Sequence, residues 1–286
     1  MAGSEVEVLA AAPSLPRLYA RAALTSRGRD GSLPRTALRL ESAAVDRDRL
    51  LRYQRLCGFA VGDTLPHTFP HVLGFPLQME LMSRRDFPLA LPGLVHLENT
   101  ITVHRALSAA EALDIAVRAE GLRAHPKGML VDLVTDVEVA GERVWSGRST
   151  YLRRGEPHPQ ATAPAASPPL PGGDPAALWR LPEGLGRAYA AVSGDVNPIH
   201  LHALTARAMG FPRAIAHGMW TCARVLATLG PRTGGPSTSQ VWFRKPVMLP
   251  STVELTVEST GAGVVAGLRG ARGGTEHLVL EWAPLP

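Results

Sequence analysis

An internal repeat constrains the fold of this chain more than any other feature of its sequence. Five residues in the first half match five in the second half at one offset of 136 positions. The matched pairs are Tyr53 with Tyr189, Gly58 with Gly194, Gly74 with Gly210, Phe75 with Phe211, and Pro76 with Pro212. Residues 101–117 also resemble residues 241–257, at an offset near 140. A repeat this long predicts two copies of one domain-sized unit rather than a solenoid.

A segment rich in proline, alanine and glycine lies between the two copies. Residues 156–177 carry few large apolar side chains, and this composition predicts a semi-rigid linker rather than a packed element. The predicted organisation is an N-terminal extension over residues 1–32, a first domain over 33–155, the linker over 156–177 and a second domain over 178–286.

Each predicted domain ends in strand-like sequence, with alternating apolar residues and many β-branched side chains. In the first domain these segments are residues 96–104, 112–122 and 128–152, with turn signals at Gly121, Gly128 and Gly141. In the second they are residues 239–249, 251–261, 263–270 and 276–283. Consecutive strands predict an antiparallel sheet, and we expect the helical segments to precede the strands in each half. The expected class is α+β.

The composition is that of a globular protein. Of the 286 residues, 45% are hydrophobic and 19% are charged, and no apolar run approaches the roughly 20 residues that span a bilayer. Glu5 and Glu7 stand where a secretory signal would carry positive charge. Cys57 and Cys222, the two cysteines of the sequence, make neither a disulfide framework nor a metal or redox spacing. We therefore expect a cytoplasmic location.

The formal net charge of +5 indicates an affinity for anions. Nucleic acid is not supported as a partner, because the sequence has no run of Lys and Arg and no basic stretch interleaved with aromatic residues. A phosphate-bearing acyl carrier, either coenzyme A or the acidic acyl carrier protein, is an equally good electrostatic match. An arginine-rich genome composition would explain the charge without any partner.

Residues 193–200, with the sequence SGDVNPIH, contain the signals of a turn followed by a helix. Gly194 permits a turn conformation that other residues avoid. Asn197 is a favoured N-cap, and the proline after it occupies the first helical position, where its missing N–H costs nothing. The pattern predicts a helix over residues 198–209 that stops at Gly210.

This local structure would bring a carboxylate and an imidazole into one small volume. Asp195 lies on the loop that enters the predicted helix, and His200 lies in its first turn. A lone histidine on a helix is usually structural, and a lone aspartate in a turn is ordinary. The two together form a candidate acid–base pair.

A strongly apolar helix is predicted from Gly218 onward, because apolar residues recur there at helical spacing. These residues are Met219, Cys222, Ala223, Leu226 and Leu229. Such a helix is suited to being wrapped by a sheet. Gly218 at its N-terminus would present an unshielded backbone N–H, backed by the helix dipole, to a developing oxyanion.

The pattern Tyr-x-x-x-Ser-Gly-Asp-x-Asn-Pro-Ile-His, followed by Gly-Phe-Pro and Ile-Ala-His-Gly-Met, resembles the signature of MaoC-type (R)-specific enoyl-thioester hydratases. The wider layout, from about residue 33 onward, resembles the actinobacterial double hot-dog 3-hydroxyacyl-thioester dehydratases. This resemblance implies two hot-dog units in one chain, in each of which an antiparallel sheet wraps a central helix.

The resemblance also implies an activity, the reversible syn dehydration of (R)-3-hydroxyacyl thioesters of CoA or acyl carrier protein to trans-2-enoyl thioesters in lipid metabolism. It implies neither a cofactor nor a metal. Asp195 and His200 become the catalytic pair, Gly218 the oxyanion donor, and Asn197 the residue that orients the loop. We assign the Cα proton to His200 and the hydroxyl or water to Asp195. The sequence leaves that division open, because a coupled pair shares its protons.

The first copy of the repeat lacks the acid–base pair. At the offset of 136, Asp195 falls opposite Phe59 and His200 opposite Thr64, and neither of these residues can transfer protons. We expect one active site per chain, with the first half as scaffold and wall of an acyl tunnel, shaped through residues 77–94. Two hot-dog units in one chain permit a pseudo-dimeric monomer as well as a homodimer.

Six further residues are candidate substrate contacts, each with an ordinary structural alternative. Ser193 and Thr221 could reach the thioester or a water, although capping is equally expected. His217 could contact substrate but is more readily explained as a structural neighbour of Gly218. Three cations could bind phosphates or could simply be solvated, namely Arg213, Arg244 and Lys245.

Other functions compete with the dehydratase hypothesis. A hydro-lyase acting on a polyketide or branched dicarboxylic thioester would use the same pair. A non-catalytic acyl-carrier-binding accessory subunit would tolerate the loss of Asp195, Asn197 and His200, all of which are intact. A thioesterase would need a carboxylate on or near the central helix, and residues 218–229 contain none.

Overall fold

The computed structural model describes residues 5–24, 29, 31–156, 161 and 166–286, which form two compact units. The first unit comprises Met1–Val45, Pro70–Asn99 and Ala110–Ala165. The second comprises Asp46–Phe69, Thr100–Ala109 and Ala166–Pro286. Part of the first half of the chain is therefore packed within the second unit. The predicted domain boundaries concern the extent of a sequence repeat, and they stay a prediction.

The elements follow the chain in an order that repeats. The first half contains β1 (Val6–Leu9), α1 (Leu15–Leu24), β2 (Ala37–Ala43), α2 (Arg47–Cys57), α3 (Phe69–Ser83), β3 (Leu94–Val103), β4 (Leu113–His125), β5 (Gly128–Val139) and β6 (Glu142–Arg154). The second half contains β7 (Ala177–Leu181), α4 (Leu185–Ser193), α5 (Pro198–Leu201), α6 (Ala203–Ala208), α7 (Gly218–Thr228), a short 3-10 helix (Gly230–Gly234), β8 (Ser237–Phe243), β9 (Ser251–Ser259), β10 (Val264–Gly270) and β11 (Glu276–Pro284).

Strand order confirms the duplication. In the first half the hydrogen-bonded order is β2-β4-β5-β6-β3, and in the second half it is β7-β9-β10-β11-β8. Both halves thus place their first, third, fourth, fifth and second strands side by side. In the first half, β4 pairs antiparallel with β2 and with β5, and β5 pairs antiparallel with β6. In the second half, the neighbouring strands from β7 through β9, β10 and β11 to β8 are all antiparallel. Strand β1 pairs with β2 in parallel. The class is α+β, as the sequence predicts.

The predicted strand segments form strands, with three corrections. Gly121 does not mark a turn; it lies within β4 at φ +61, where the register with β5 shifts, because a glycine in a strand accommodates a bulge. The helices do not precede every strand, since β2 and β7 open the two halves. The segment predicted over residues 239–249 leaves the sheet after Phe243.

Two of the five residue matches at offset 136 describe equivalent structure. Tyr53 and Tyr189 lie in α2 and α4, and each helix ends at a glycine in the left-handed region. Gly58 has φ +84 and donates its N–H to the carbonyl of Gln54, whereas Gly194 has φ +81 and donates to Ala190. The same C-cap therefore ends both helices.

The matched Gly-Phe-Pro tripeptides, in contrast, are not equivalent, and this part of the predicted repeat is wrong. Residues 74–76 lie inside α3, whereas residues 210–212 follow α6 in a loop, with Gly210 at φ +88. A Cβ at Gly74 would come within 2.7 Å of the Thr135 methyl carbon, so glycine there permits close packing of α3 on β5. The same residue type serves two different needs.

Each unit buries the apolar face of a central helix. In the first unit α3 contributes fully buried Leu77 and Leu81, while any role of residues 77–94 in acyl binding stays a prediction. In the second unit α7 begins at Gly218, as predicted, and buries Cys222 and Leu226 completely. Among the described residues, no helix has both the length and the apolar character that crossing a membrane requires.

Candidate active site

The predicted helix over residues 198–209 is wrong, because the chain breaks it in two. Helix α5 is capped by Asn197, as predicted, and ends at Leu201. His202 is extended, with φ −145 and ψ 148, and α6 begins after it. The break leaves the Leu201 carbonyl without a helical partner, and Arg187 Nη1 donates to it at 2.9 Å. His200 therefore lies on a single helical turn rather than a long helix.

His200 is buried, and one hydrogen bond decides its tautomer. Its Nδ1 lies 2.8 Å from the carbonyl oxygen of Ile215. A carbonyl can only accept, so Nδ1 carries the proton and Nε2 keeps its lone pair. Burial lowers the pKa of His200, and the nearby Asp195 carboxylate and this hydrogen bond offset part of that shift. The side chain is suited to act as a neutral base.

Ile215, whose carbonyl holds His200, is itself fixed from two sides. Ile215 donates its N–H to the carbonyl of Ile199 at 3.1 Å, while its own carbonyl accepts from His200. Ala216 donates to the Val247 carbonyl at 2.9 Å, and an isolated bridge joins Ile215 to Met248. Residues 214–216 therefore form an extended segment that sets the position of the imidazole.

Asp195 lies on the loop after α4, and local hydrogen bonds fix its backbone and carboxylate. Its N–H donates to Ser193 Oγ at 3.1 Å, and Ser193 in turn donates to the Tyr189 carbonyl at 2.8 Å. Asp195 Oδ1 accepts from the Asn197 N–H at 3.1 Å. Ser193 is 4% exposed, so its hydroxyl serves the loop. Asn197 contacts the carboxylate directly, as an orienting residue would.

His217 lies against both members of the pair. Its ring stacks on that of His200 with centroids 3.6 Å apart, and its Nε2 donates to the Asp195 carbonyl at 2.9 Å. Burial, reinforced by His200, lowers the pKa of His217 to about 3, so the ring is neutral at physiological pH. Its Nδ1 is buried and has no hydrogen-bond partner within the described part of the chain.

Asp195, His200 and His217 together have the spacing of a metal site, with one ligand atom from each within 4.8 Å of the others. The hydrogen bonds favour a different use. His217 Nε2, which lies 3.8 Å from Asp195 Oδ2, carries a proton because it donates to a carbonyl. That nitrogen cannot ligate a metal in this tautomer. We therefore interpret the cluster as an acid–base site.

Helix α7 starts at Gly218 with no side-chain cap. In the described regions the Gly218 N–H has no acceptor, as expected for the first residue of a helix. A Cβ at this position would lie 3.1 Å from the Phe243 ring, so glycine allows the aromatic ring to pack against the backbone. Thr221 Oγ1 donates to the Gly218 carbonyl at 2.6 Å, so its hydroxyl is used within the helix.

Arg49, which the sequence did not single out, binds the end of helix α4. Its Nε donates to the Val192 carbonyl at 2.7 Å and its Nη2 to the Ser193 carbonyl at 2.9 Å. These carbonyls come just before Asp195 and have no helical donor of their own. A cation at a helix C-terminus also interacts favourably with the helix dipole. Arg49 lies 143 residues from Val192, so no local pattern could have indicated the contact.

The equivalent end of α2 is bound in the same way. Trp220 Nε1 donates to the Leu56 carbonyl at 3.4 Å, and Arg224 Nη1 donates to the Cys57 carbonyl at 3.3 Å. Leu56 and Cys57 correspond to Val192 and Ser193 at the offset of 136. In both helices, side chains from elsewhere in the second unit therefore satisfy the last two carbonyls.

Gly186 allows α4 to approach His200 closely. A Cβ on this glycine would lie 1.9 Å from the His200 carbonyl oxygen and 2.9 Å from its carbonyl carbon. No side chain fits there unless the backbone moves. A lone glycine inside a helical segment often has such a packing reason, and that signal was present in the sequence.

The three candidate phosphate-binding cations have other partners. Arg213 Nη1 donates to the Pro250 carbonyl at 3.2 Å. Arg244 pairs with Glu276 and donates to Ser167 Oγ at 2.8 Å. Lys245 is exposed. In the regions the structure describes, no hydrogen bond or ion pair joins any of them to Asp195 or His200, and their binding roles stay predictions.

Comparison with known proteins identifies relatives. Residues 180–279 match the family described as MaoC like domain. The 3-hydroxyacyl-thioester dehydratase X of Mycobacterium tuberculosis is 40% identical over 256 residues, covering 87% of this chain and 90% of that protein. A crystal structure of HtdX from the same organism matches with a TM-score of 0.77 and 37% identity, covering 87% of this chain and all of that one. A MaoC-like dehydratase from Phytophthora capsici has a TM-score of 0.70 at 17% identity, covering 87% and 95%. These likenesses confirm the predicted double hot-dog fold.

Replacing Gly186 with alanine tests the close approach of α4 to His200. We expect Gly186→Ala to lower the free energy of unfolding by about 1–3 kcal/mol, because the added methyl group overlaps backbone. Gly184→Ala is the matched control, since the nearest contact of its Cβ is Arg187 Nη2 at 3.5 Å. Urea unfolding measures both. Equal stability of the two variants would contradict the packing argument.

Replacing Arg49 with methionine tests the contact between α2 and the loop that carries Asp195. Arg49→Met keeps the length of the side chain but removes both donors, and charged hydrogen bonds contribute about 1.5–3 kcal/mol each. We expect a lower free energy of unfolding and faster hydrogen exchange at the Asp195 amide. Arg52→Met on the same helix, where the arginine is exposed, should leave both unchanged. Matching behaviour of the two variants would show that Arg49 does not hold the loop.

A titration of His200 tests the electrostatics of the pair. Burial lowers its pKa below the ordinary value of 6.5, whereas the Asp195 carboxylate raises it. We expect a midpoint below 6.5 by proton NMR, and a still lower midpoint in Asp195→Asn, because the charge that favours the imidazolium is gone. A midpoint that rises in the variant would contradict this arrangement.

Proposed function

This chain belongs to the MaoC-like dehydratase family, and we propose that it is a hydro-lyase that reversibly dehydrates 3-hydroxyacyl thioesters to 2-enoyl thioesters. The observation that carries the proposal is the tautomer of His200. Its Nδ1–H is held by the Ile215 carbonyl, so its Nε2 is a proton acceptor, and the Asp195 carboxyl group lies in the same cluster of side chains. The curated relative over most of the chain is named a 3-hydroxyacyl-thioester dehydratase.

Each step of the reaction has a group in this site. In dehydration, His200 Nε2 takes the proton from the Cα carbon beside the thioester carbonyl. Asp195, in its protonated form, gives a proton to the hydroxyl group at C3, which leaves as water. The pair ends as imidazolium and carboxylate, and transfer of that one proton back to Asp195 restores the starting state. General acid–base help of this kind contributes about 10²–10⁴-fold to the rate.

The Gly218 N–H supplies the third element of the proposed mechanism. Removal of the Cα proton moves negative charge onto the thioester oxygen, and a helix N-terminus favours charge of that sign. Losing one such donor typically costs about 3 kcal/mol of transition-state stabilisation. The absence of a side-chain cap on α7 leaves this backbone position available to substrate.

The family resemblance supports several finer features of the proposal. They comprise (R) configuration at C3, a trans double bond and syn geometry, with CoA or acyl carrier protein as carrier. The place in lipid metabolism, the cytoplasmic location and a pseudo-dimeric or homodimeric assembly belong to the same proposal. The residues that stand opposite Asp195 and His200 in the first half support the proposal of one site per chain. The ring of Phe59 stacks on that of Tyr53 with centroids 6.3 Å apart, and Thr64 forms an isolated β-bridge with Ser108.

Hydration of enoyl-CoA substrates tests the proposed function. We expect the wild-type protein to consume enoyl-CoAs of at least one chain length between crotonyl and hexadecenoyl, measured by the loss of enoyl-thioester absorbance. Asp195→Asn and His200→Ala should each lower kcat/KM by about 10²–10⁴-fold, because each removes one proton-transfer group.

The neighbouring His202 provides the matched control for these variants. It is exposed and makes no capping hydrogen bond through its side chain, so His202→Ala should retain wild-type turnover. Wild-type turnover in Asp195→Asn or His200→Ala, with the fold intact by circular dichroism, would refute the acid–base assignment. An inactive wild-type protein on every CoA and carrier-protein thioester tested would refute the function itself.

A further inference from the structure

The segment after the catalytic pair presents an exposed surface that the proposed chemistry does not use. We call it the α6 face and define it by two apolar side chains and three arginines. These are Leu204, Met209, Arg187, Arg207 and Arg213. Leu204 is 76% exposed and Met209 is 41% exposed, so large apolar side chains meet solvent near the start and at the C-cap of one short helix.

The arginines of the α6 face carry charge that no carboxylate balances. Arg187 donates to the carbonyl of Leu201 and Arg213 to that of Pro250. Arg207 Nε donates to the carbonyl of Pro212 at 3.1 Å. Over residues 5–24, 29, 31–156, 161 and 166–286, none of the three arginines forms an ion pair. Backbone carbonyls orient these guanidinium groups without neutralising them.

Arginines on the first unit are arranged differently. Arg39 pairs with Asp114 and Glu138, and Arg118 pairs with Glu120 and Asp136. Carboxylates therefore balance the charge of Arg39 and Arg118, whereas the arginines of the α6 face bind backbone carbonyls instead. Residues 184–232 contain five arginines and a single acidic residue, which is the catalytic Asp195.

The α6 face is joined directly to the catalytic groups. Leu204 follows His200 by four positions, and Arg213 precedes Ile215, whose carbonyl holds the imidazole, by two. Thr205 Oγ1 donates to the Pro198 carbonyl at 2.6 Å, which ties α6 to the turn that carries His200. A partner bound on this face would therefore lie against the segments that carry His200 and Ile215.

Resting on the proposed function, we propose that the α6 face docks an acidic acyl carrier protein that delivers the acyl thioester to the Asp195–His200 pair. Acidic side chains on the carrier complement the unbalanced arginines, which speeds encounter and sets orientation. Apolar side chains at the carrier surface cover Leu204 and Met209. Coenzyme A offers phosphates to the arginines but has no surface that would cover the two apolar side chains. Leu204 therefore distinguishes the two carriers.

The test compares one acyl group on two carriers. The crotonyl group is loaded either on coenzyme A or on an acidic bacterial acyl carrier protein, and kcat/KM for hydration is measured with each. Leu204→Ser and Arg207→Glu should each lower kcat/KM for the carrier-protein thioester by roughly tenfold, since contacts of this kind act on association and binding. For Leu204→Ser, kcat/KM for crotonyl-CoA should stay within about twofold of wild type, as for an ordinary surface substitution.

Leu178 provides the matched control. It is 57% exposed on strand β7 of the same unit, so Leu178→Ser removes a similar apolar side chain outside the α6 face. This variant should match wild type on both substrates. Circular dichroism and urea unfolding of all three variants establish that the fold is unchanged.

Three results would overturn the proposal. An equal fall on both substrates in Leu204→Ser would assign Leu204 to the site rather than to carrier docking. No fall with the carrier-protein thioester, or no turnover of it by a wild-type protein that hydrates crotonyl-CoA, would show that the carrier does not dock here. A dimer that dissociates in Leu204→Ser would assign the face to a second copy of the chain. Failure of the wild type on both thioesters, in contrast, would refute the proposed function.

Discussion

The hydrogen bond from His200 Nδ1 to the carbonyl of Ile215 is the interaction on which the rest of the candidate site depends. It fixes the tautomer, and so it decides which ring nitrogen keeps the lone pair of a base. The Ala216 N–H of the same peptide group donates to the Val247 carbonyl, and the Ile215 N–H donates to the Ile199 carbonyl. Residue Ile215 therefore positions the imidazole relative to α5, to the segment after β8 and to the start of α7. The segment that holds His200 also leads into Gly218, so the proposed base and the proposed oxyanion donor share one support.

Burial gives these histidines their chemistry and also makes them costly to protonate. His200 and His217 stack in a site where water is largely excluded, and each ring is neutral. The pKa of His217 falls from 6.5 to about 3 on folding. Below pH 6.5 the unfolded imidazole binds a proton that the folded one does not, so this group destabilises the fold as the pH falls from 6.5 towards 3. The arrangement keeps a base neutral near physiological pH.

The first half of the chain supports the chemistry of the second half without repeating it. The segment after α2 lacks the acid–base residues, but Arg49 on α2 donates to the carbonyls of Val192 and Ser193, which come just before Asp195. Trp220 and Arg224 bind the equivalent carbonyls of α2. The reciprocal caps explain why residues 46–69 pack within the second unit: their helix ends need donors that lie far away in sequence.

The sequence by itself determined the duplication, the α+β class, most strands, the start of α7 and the capped turn that carries His200. These features depend on short-range patterns, namely strand alternation, an asparagine–proline helix start and a signature of about thirty residues. The tertiary structure alone decided where the helix after His200 breaks, which matches of the repeat are equivalent, and that Arg49 and Gly186 lie against the segments that carry Asp195 and His200. A long-range donor such as Arg49 looks like any other arginine in sequence, and the place of Gly186 depends on the backbone that packs against it. The tautomer of His200 was decided there too, because a carbonyl fifteen residues away sets it and no local pattern encodes that contact.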